Sequence, residues 1–156
     1  MTTTPQTPAD NKPQPVTLER VTETMRGFGI QLWPDPQGAV VMANLNGFSV
    51  TFAPLGGICL VRADCPTQVA SDSGLPHLYL AANAANCTGA PARAAVMDRT
   101  DKLVVRTECE ISAEAGLSNA QLAQLLRDAV DAVLSTQDAV ANAAESLTGD
   151  SEDPTA

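Results

Sequence analysis

The sequence predicts an α+β domain: a mostly antiparallel sheet with helices segregated to one side, in the order α-β-β-β-β-α-β-β-α. Three observations predict it. Apolar residues recur at helical spacing in three separate stretches, around Leu18 to Phe28, Leu78 to Ala85 and Leu122 to Ala144. Between those stretches lie short runs, several of them alternating between apolar and polar, bounded by Gly, Pro, Asn and Asp. Successive runs are joined by tight-turn signals, above all Asn46-Gly47, which make antiparallel neighbours.

Residues 1–15 are Thr, Pro, Gln, Asn and Asp with little to bury, and are expected to form a disordered leader. The first helix follows. Leu18, Val21, Met25 and Phe28 share one face, Thr17 is placed to cap the first free N–H groups, and Val16 with Val21 forms a hydrophobic staple. Gly27 and Gly29 supply the stop, because glycine takes the left-handed conformation that ends many helices. Four strands come next. Residues 30–33 form a short one closed by Pro34-Asp35-Pro36, and residues 39–45 form the second. After the Asn46-Gly47 turn, residues 48–52 place Phe48, Val50 and Phe52 on one face. Gly56-Gly57 turns the chain into residues 58–63, which end near Pro66.

Pro76 suits the first turn of a helix, and residues 76–87 form the second one, with a modest apolar face of Leu78, Leu80, Ala81, Ala84 and Ala85. A hairpin then pairs residues 92–97 with residues 102–111 across Asp98-Arg99-Thr100-Asp101. Leu103, Val105, Thr107, Cys109 and Ile111 point one way and Lys102, Arg106, Glu108 and Glu110 the other, the pattern of a strand with one wet face. The last helix has the sharpest local signal. Ser118 and Gln121 form a capping box inside a Leu117–Leu122 staple. The helix then buries Leu122, Leu125, Leu126, Ala129, Val130, Val133, Leu134, Val140 and Ala144, a stripe wider than one contact face needs. The expected layout is a leader over 1–15, one domain over 16–147 and an acidic disordered tail over 148–156.

Net charge is −9 and the isoelectric point about 4.3. That balance speaks against nucleic acid and against anionic membrane surfaces, both of which are held by Lys and Arg. With aromatics at 3 % of residues, the chain has no stacking platform for bases, and its core must be aliphatic. No Lys or Arg follows Arg127, so the C-terminal end is expected to be a solvated acidic segment. The N-terminus has neither a basic nor an apolar signal region, and no apolar run approaches the roughly 20 residues that span a bilayer. A cytoplasmic location with reduced thiols is the expectation.

The search for chemistry finds no catalytic, metal or cofactor site. His77 is the single histidine and sits at an expected helix start. Cys59, Cys65, Cys87 and Cys109 match neither C-x-x-C nor a zinc framework. Cys59 and Cys65 on one unbroken strand would lie about 20 Å apart, too far to share a zinc ion. Gly56-Gly57 lacks the context of a phosphate-binding loop. Two features remain. Asn83 and Asn86 either cap backbone at a helix end or belong to a polar site, with Arg62 near it. Leu126, Val130, Val133, Leu134 and Val140 spread over more than one stripe, which suggests a dimer seam or a partner groove.

The order of elements, the Asn83-x-x-Asn86 pair ahead of Pro91, and the Gly116-Leu117-Ser118-x-x-Gln121-Leu122 opening of the last helix together resemble the YbjN domain family of bacteria, its actinobacterial branch most of all. The resemblance covers residues 16 to about 140. It implies a fold similar to type III secretion chaperones, usually dimeric, with no established enzymatic activity. The function it implies is a non-enzymatic protein-binding, chaperone-like or regulatory module acting as a homodimer. The alternative is a small-ligand sensor with a pocket near the second helix. Members often carry a bulky aromatic between the two asparagines, where this chain has Ala84 and Ala85.

Overall fold

The computed structural model describes residues 11–149. The first helix, α1 (Leu18–Gly27), is capped as its sequence demands: Thr17 Oγ1 accepts from the Arg20 N–H at 3.2 Å, and Val21 and Met25 are buried. Its C-terminus takes more chain than expected. The N–H groups of Phe28 and Ile30 both donate to the Met25 carbonyl at 3.0 Å, with Gly29 at φ +79° between them. Ile30 is thereby committed to ending the helix, and the strand expected over 30–33 shrinks to β1 (Trp33–Pro34). The Asp35 carboxylate organises the next turn, accepting from the N–H groups of Ala39 at 2.8 Å and Val40 at 3.1 Å. Those donors, Val40 first, hold its carboxyl below the usual range, and they delay β2 (Val41–Leu45) by two residues.

Asn46 and Gly47, at φ 52° and 85°, make the expected two-residue turn into β3 (Phe48–Pro54). The next strand, β4 (Ile58–Ala70), runs straight through Pro66, where the sequence suggested an end. Pairing with β3 stops at Ser49↔Asp64, so Pro66 lies where β4 has a neighbour on one side only. A proline is tolerated at such an edge, and the register shifts between Pro66 and Ala70. Then follow α2 (His77–Asn86), β5 (Arg93–Asp98), β6 (Lys102–Ser112) and α3 (Asn119–Gly149). The six strands are ordered β1-β2-β3-β4-β6-β5, and every neighbouring pair is antiparallel.

The three helices cover one face. Val50 and Phe52 of β3, Cys59, Val61 and Ala63 of β4, and Ile111 of β6 meet Val21, Met25, Leu122, Leu126 and Val133 in one core cluster. A second joins Leu78, Ala81, Ala82 and Ala85 of α2 to Ala94, Leu103, Val105, Val140 and Ala144. The 31 residues of α3, about 46 Å at 1.5 Å per residue, serve both clusters in turn.

The capping box forms as read: the Gln121 N–H donates to Ser118 Oγ at 3.2 Å and the Ser118 N–H to Gln121 Oε1 at 2.9 Å. The expected leader and tail fall largely on residues 1–10 and 150–156, outside the described ones. Two of their edges differ within the described chain. Gln14 exchanges two backbone hydrogen bonds with Leu117, at 3.1 and 2.9 Å, and Arg20 Nη1 donates to the carbonyls of Gln14 and Pro15 at 2.7 and 2.9 Å. The docked chain therefore begins before residue 16, because the loop ahead of α3 offers unpaired backbone groups that Gln14 satisfies. At the other end α3 continues past 147 to include Gly149.

Candidate functional site

On the face away from the helices, cross-strand register sets opposite charges side by side. Arg62 stands opposite Glu108 and donates from Nε to Oε1 at 2.7 Å, while Arg106 makes a two-pronged contact with Asp64 at 2.8 and 2.9 Å. Asp64 raises the pKa of the Arg106 guanidinium, first through that hydrogen bond. The outer face is thus internally neutralised around β4 and β6, and Arg62 is engaged there rather than beside the asparagines.

The two asparagines separate. Asn83 is exposed on α2. Asn86 turns its amide onto the outermost strand of the sheet: Nδ2 donates to the Ala94 carbonyl at 2.9 Å, and Oδ1 accepts from the Ala94 N–H at 2.7 Å. It caps backbone, yet on β5 rather than on its own helix end. Of the broad stripe expected on α3, Leu125 is left exposed, and the five residues singled out lie largely inside the chain. Leu126 and Val133 are 0 % exposed, Val130 and Val140 are buried, and Leu134 packs half-buried against the first core cluster. Leu126, Val130, Val133 and Val140 belong to the core clusters and Leu134 lies at their edge, because α3 lies over the sheet with α1 beside its first half and α2 beside its second.

The remaining chemical groups stay apart. His77 is the first residue of α2 and half-buried. The four cysteines are free thiols, and burial pushes the Cys59 thiol up to about 11, leaving it protonated at neutral pH. No group of three His, Cys, Asp or Glu side chains among the described residues is arranged to hold a metal ion. No described helix is long and apolar enough to cross a membrane.

Two places carry surface chemistry. On α2 the buried residues are Leu78, Ala81, Ala82 and Ala85, so Leu80 and Ala84, expected on its inner face, point outward. The outer side then presents Leu80 at 50 % and Tyr79 at 51 % exposure, with Leu75 just ahead of the helix at 56 %. A shallow groove of about 390 Å³ also runs between the end of α1 and α3, where the Arg127 guanidinium lies 4.7 Å from the centre of the Phe28 ring.

Beneath α3 sits a smaller hollow of about 200 Å³, lined by Phe48, Cys65, Thr67, Leu78, Val105, Gln137, Val140 and Ala141. Gln137 is 3 % exposed, and its Nε2 donates to the carbonyls of Ala63 at 2.9 Å and Val105 at 3.0 Å, tying α3 to β4 and β6. Sequence reading passed over Gln137. The available signal was its place on the buried side of α3, four residues after Val133 and three before Val140, where an amide interrupts an apolar row.

The YbjN family model, described as "Putative bacterial sensory transduction regulator", matches residues 17–142. Among solved structures, the chain resembles "YbjN, a putative transcription regulator from E. coli" at 12 % identity and a TM-score of 0.63, over 90 % of this chain and 97 % of that one. A chain of the HopA1–SchA chaperone–effector complex is similar at 14 % identity and a TM-score of 0.47, over 78 % and 94 %. A chain of the Yersinia pestis type III secretion chaperone SycH complex with a fragment of YscM2 is similar at 16 % identity and a TM-score of 0.42, over 76 % and 98 %. No curated protein matches the sequence.

Proposed function

The chain belongs to the YbjN family, and from that premise we propose that it is a non-enzymatic regulatory module that acts in the cytoplasm by binding protein, either a second copy of itself or another chain. The observation that carries this reading is the outer side of α2. Tyr79 is the sequence's single tyrosine, and it stands half-exposed beside Leu80, with Leu75 close in the chain. Neighbouring large apolar groups left in water favour association, and tyrosine suits an interface because its ring is apolar and its hydroxyl polar. The exposed Asn83 lies one turn after Tyr79 and supplies a polar rim.

The homodimer is the first form to test. Light scattering on the purified chain should give twice the monomer mass of 16.2 kDa. Tyr79→Asp with Leu80→Asp should return it to monomer with the helical circular dichroism unchanged. A monomeric wild-type chain would move the reading to a partner protein, tested by crosslinked pull-down with the same double variant as control. An interaction that survives both substitutions would remove α2 as the contact surface.

A further inference from the structure

We propose that the hollow beneath α3 is a binding site for a small neutral molecule with an apolar body about the size of one six-membered ring and a single hydrogen-bond donor, which Gln137 Oε1 receives. The proposal is independent of the α2 surface, and it starts from the amide. Both carbonyls that Nε2 meets are fixed in the sheet, so the two ends of the amide are not interchangeable, and Oε1 is the end left over. Among the described residues nothing donates to Oε1, although no polar side-chain atom there is both fully enclosed and unpaired. Oε1 therefore keeps its access through the hollow that Gln137 lines. A donor brought into the hollow can pair with Oε1 in place of solvent.

The walls define the rest of the molecule. Phe48, Leu78, Val105 and Val140 are apolar, and Cys65 adds a weakly polar thiol. Thr67 is already engaged, donating to the Leu103 carbonyl at 2.7 Å and accepting from the Val69 N–H at 3.2 Å. No Lys or Arg lines the space, so an anion has nothing to neutralise it. A dry apolar cavity of about 150 Å³ accommodates benzene. The 200 Å³ here leaves room for a ring and one substituent.

The test uses the full chain, isotope-labelled for NMR, titrated separately with phenol, toluene and benzoate. Phenol should give saturable shifts centred on Leu78, Val105 and Val140, and should bind at least tenfold more tightly than either toluene or benzoate. Ala141→Phe places a ring at an exposed helix position on the rim of the hollow, and should abolish phenol binding while circular dichroism stays that of the parent. Gln137→Leu, where it folds, should erase the preference for phenol over toluene. Several results would overturn the proposal: no saturable shift; equal affinity for phenol and toluene; a preference for benzoate; shifts centred on the Phe28–Arg127 groove; or phenol binding that persists in Ala141→Phe.

Discussion

At Gly116 the backbone sits at φ +76°, and a Cβ built there would stand 3.0 Å from three backbone atoms of Gln14. Two costs would fall on any side chain at this position: the left-handed conformation, about 1–2 kcal/mol for an L-residue, and the displacement of a segment that pairs with Leu117. Gly116→Ala should therefore lower stability by about 2 kcal/mol or more, read as a lower urea midpoint with an unchanged slope. A parental midpoint would show that the Gln14 segment yields freely. Caps and turns of this kind were legible because each is decided within a few residues: Thr17 on Arg20, Ser118 with Gln121, Asn46-Gly47 between its two strands. The partners of Gln137 were illegible for the opposite reason. The carbonyl of Ala63 that it ties down is 74 residues away in sequence, and no local pattern announces it.

Elements were legible in kind and order, and less so in extent. The strand after α1 was overestimated because its first N–H belongs to the helix cap, and β4 was underestimated because Pro66 breaks a central strand but not one without a neighbour on that side. For α3, periodicity gave a broad apolar stripe, Leu125 excepted, but could not say what filled it. A helix laid over a sheet, with α1 beside its first half and α2 beside its second, buries a wider stripe than the sheet alone would cover, and its own chain supplies the cover. Leu126→Ala measures this. The side chain is fully enclosed, so truncation should cost about 2–5 kcal/mol. Its effect should be a loss of monomer stability; a purely associative change, in which the variant keeps its melting temperature and loses only its dimer, would put Leu126 at an interface.

At the scale of the molecule, the ends of the described chain are joined to the fold unequally. Gln14 and Pro15 are held by Leu117 and by Arg20, whose Nη2 also donates to the Leu117 carbonyl at 2.8 Å. Deleting residues 1–12 should leave the melting temperature within about a degree of the parent, whereas deleting residues 1–14 should lower it by several degrees, the thermal equivalent of about 1 kcal/mol. Equal melting temperatures for the two truncations would show that the Gln14 pairing adds nothing to the whole. The charge of −9 is visible in the sequence, but its arrangement is not: β4 and β6 carry cations that their own cross-strand acids already neutralise.

The amide of Asn86 has a consequence for how the molecule behaves among its copies. An outermost strand is a template on which any extended chain can polymerise. At Ala94 the seat for the next peptide group is already taken, since the Asn86 side chain presents one donor and one acceptor just as a peptide would. The opposite margin is guarded differently, by the two-residue β1, which is too short to seed another layer. A single side chain thus closes one position of the outermost strand to pairing with another chain.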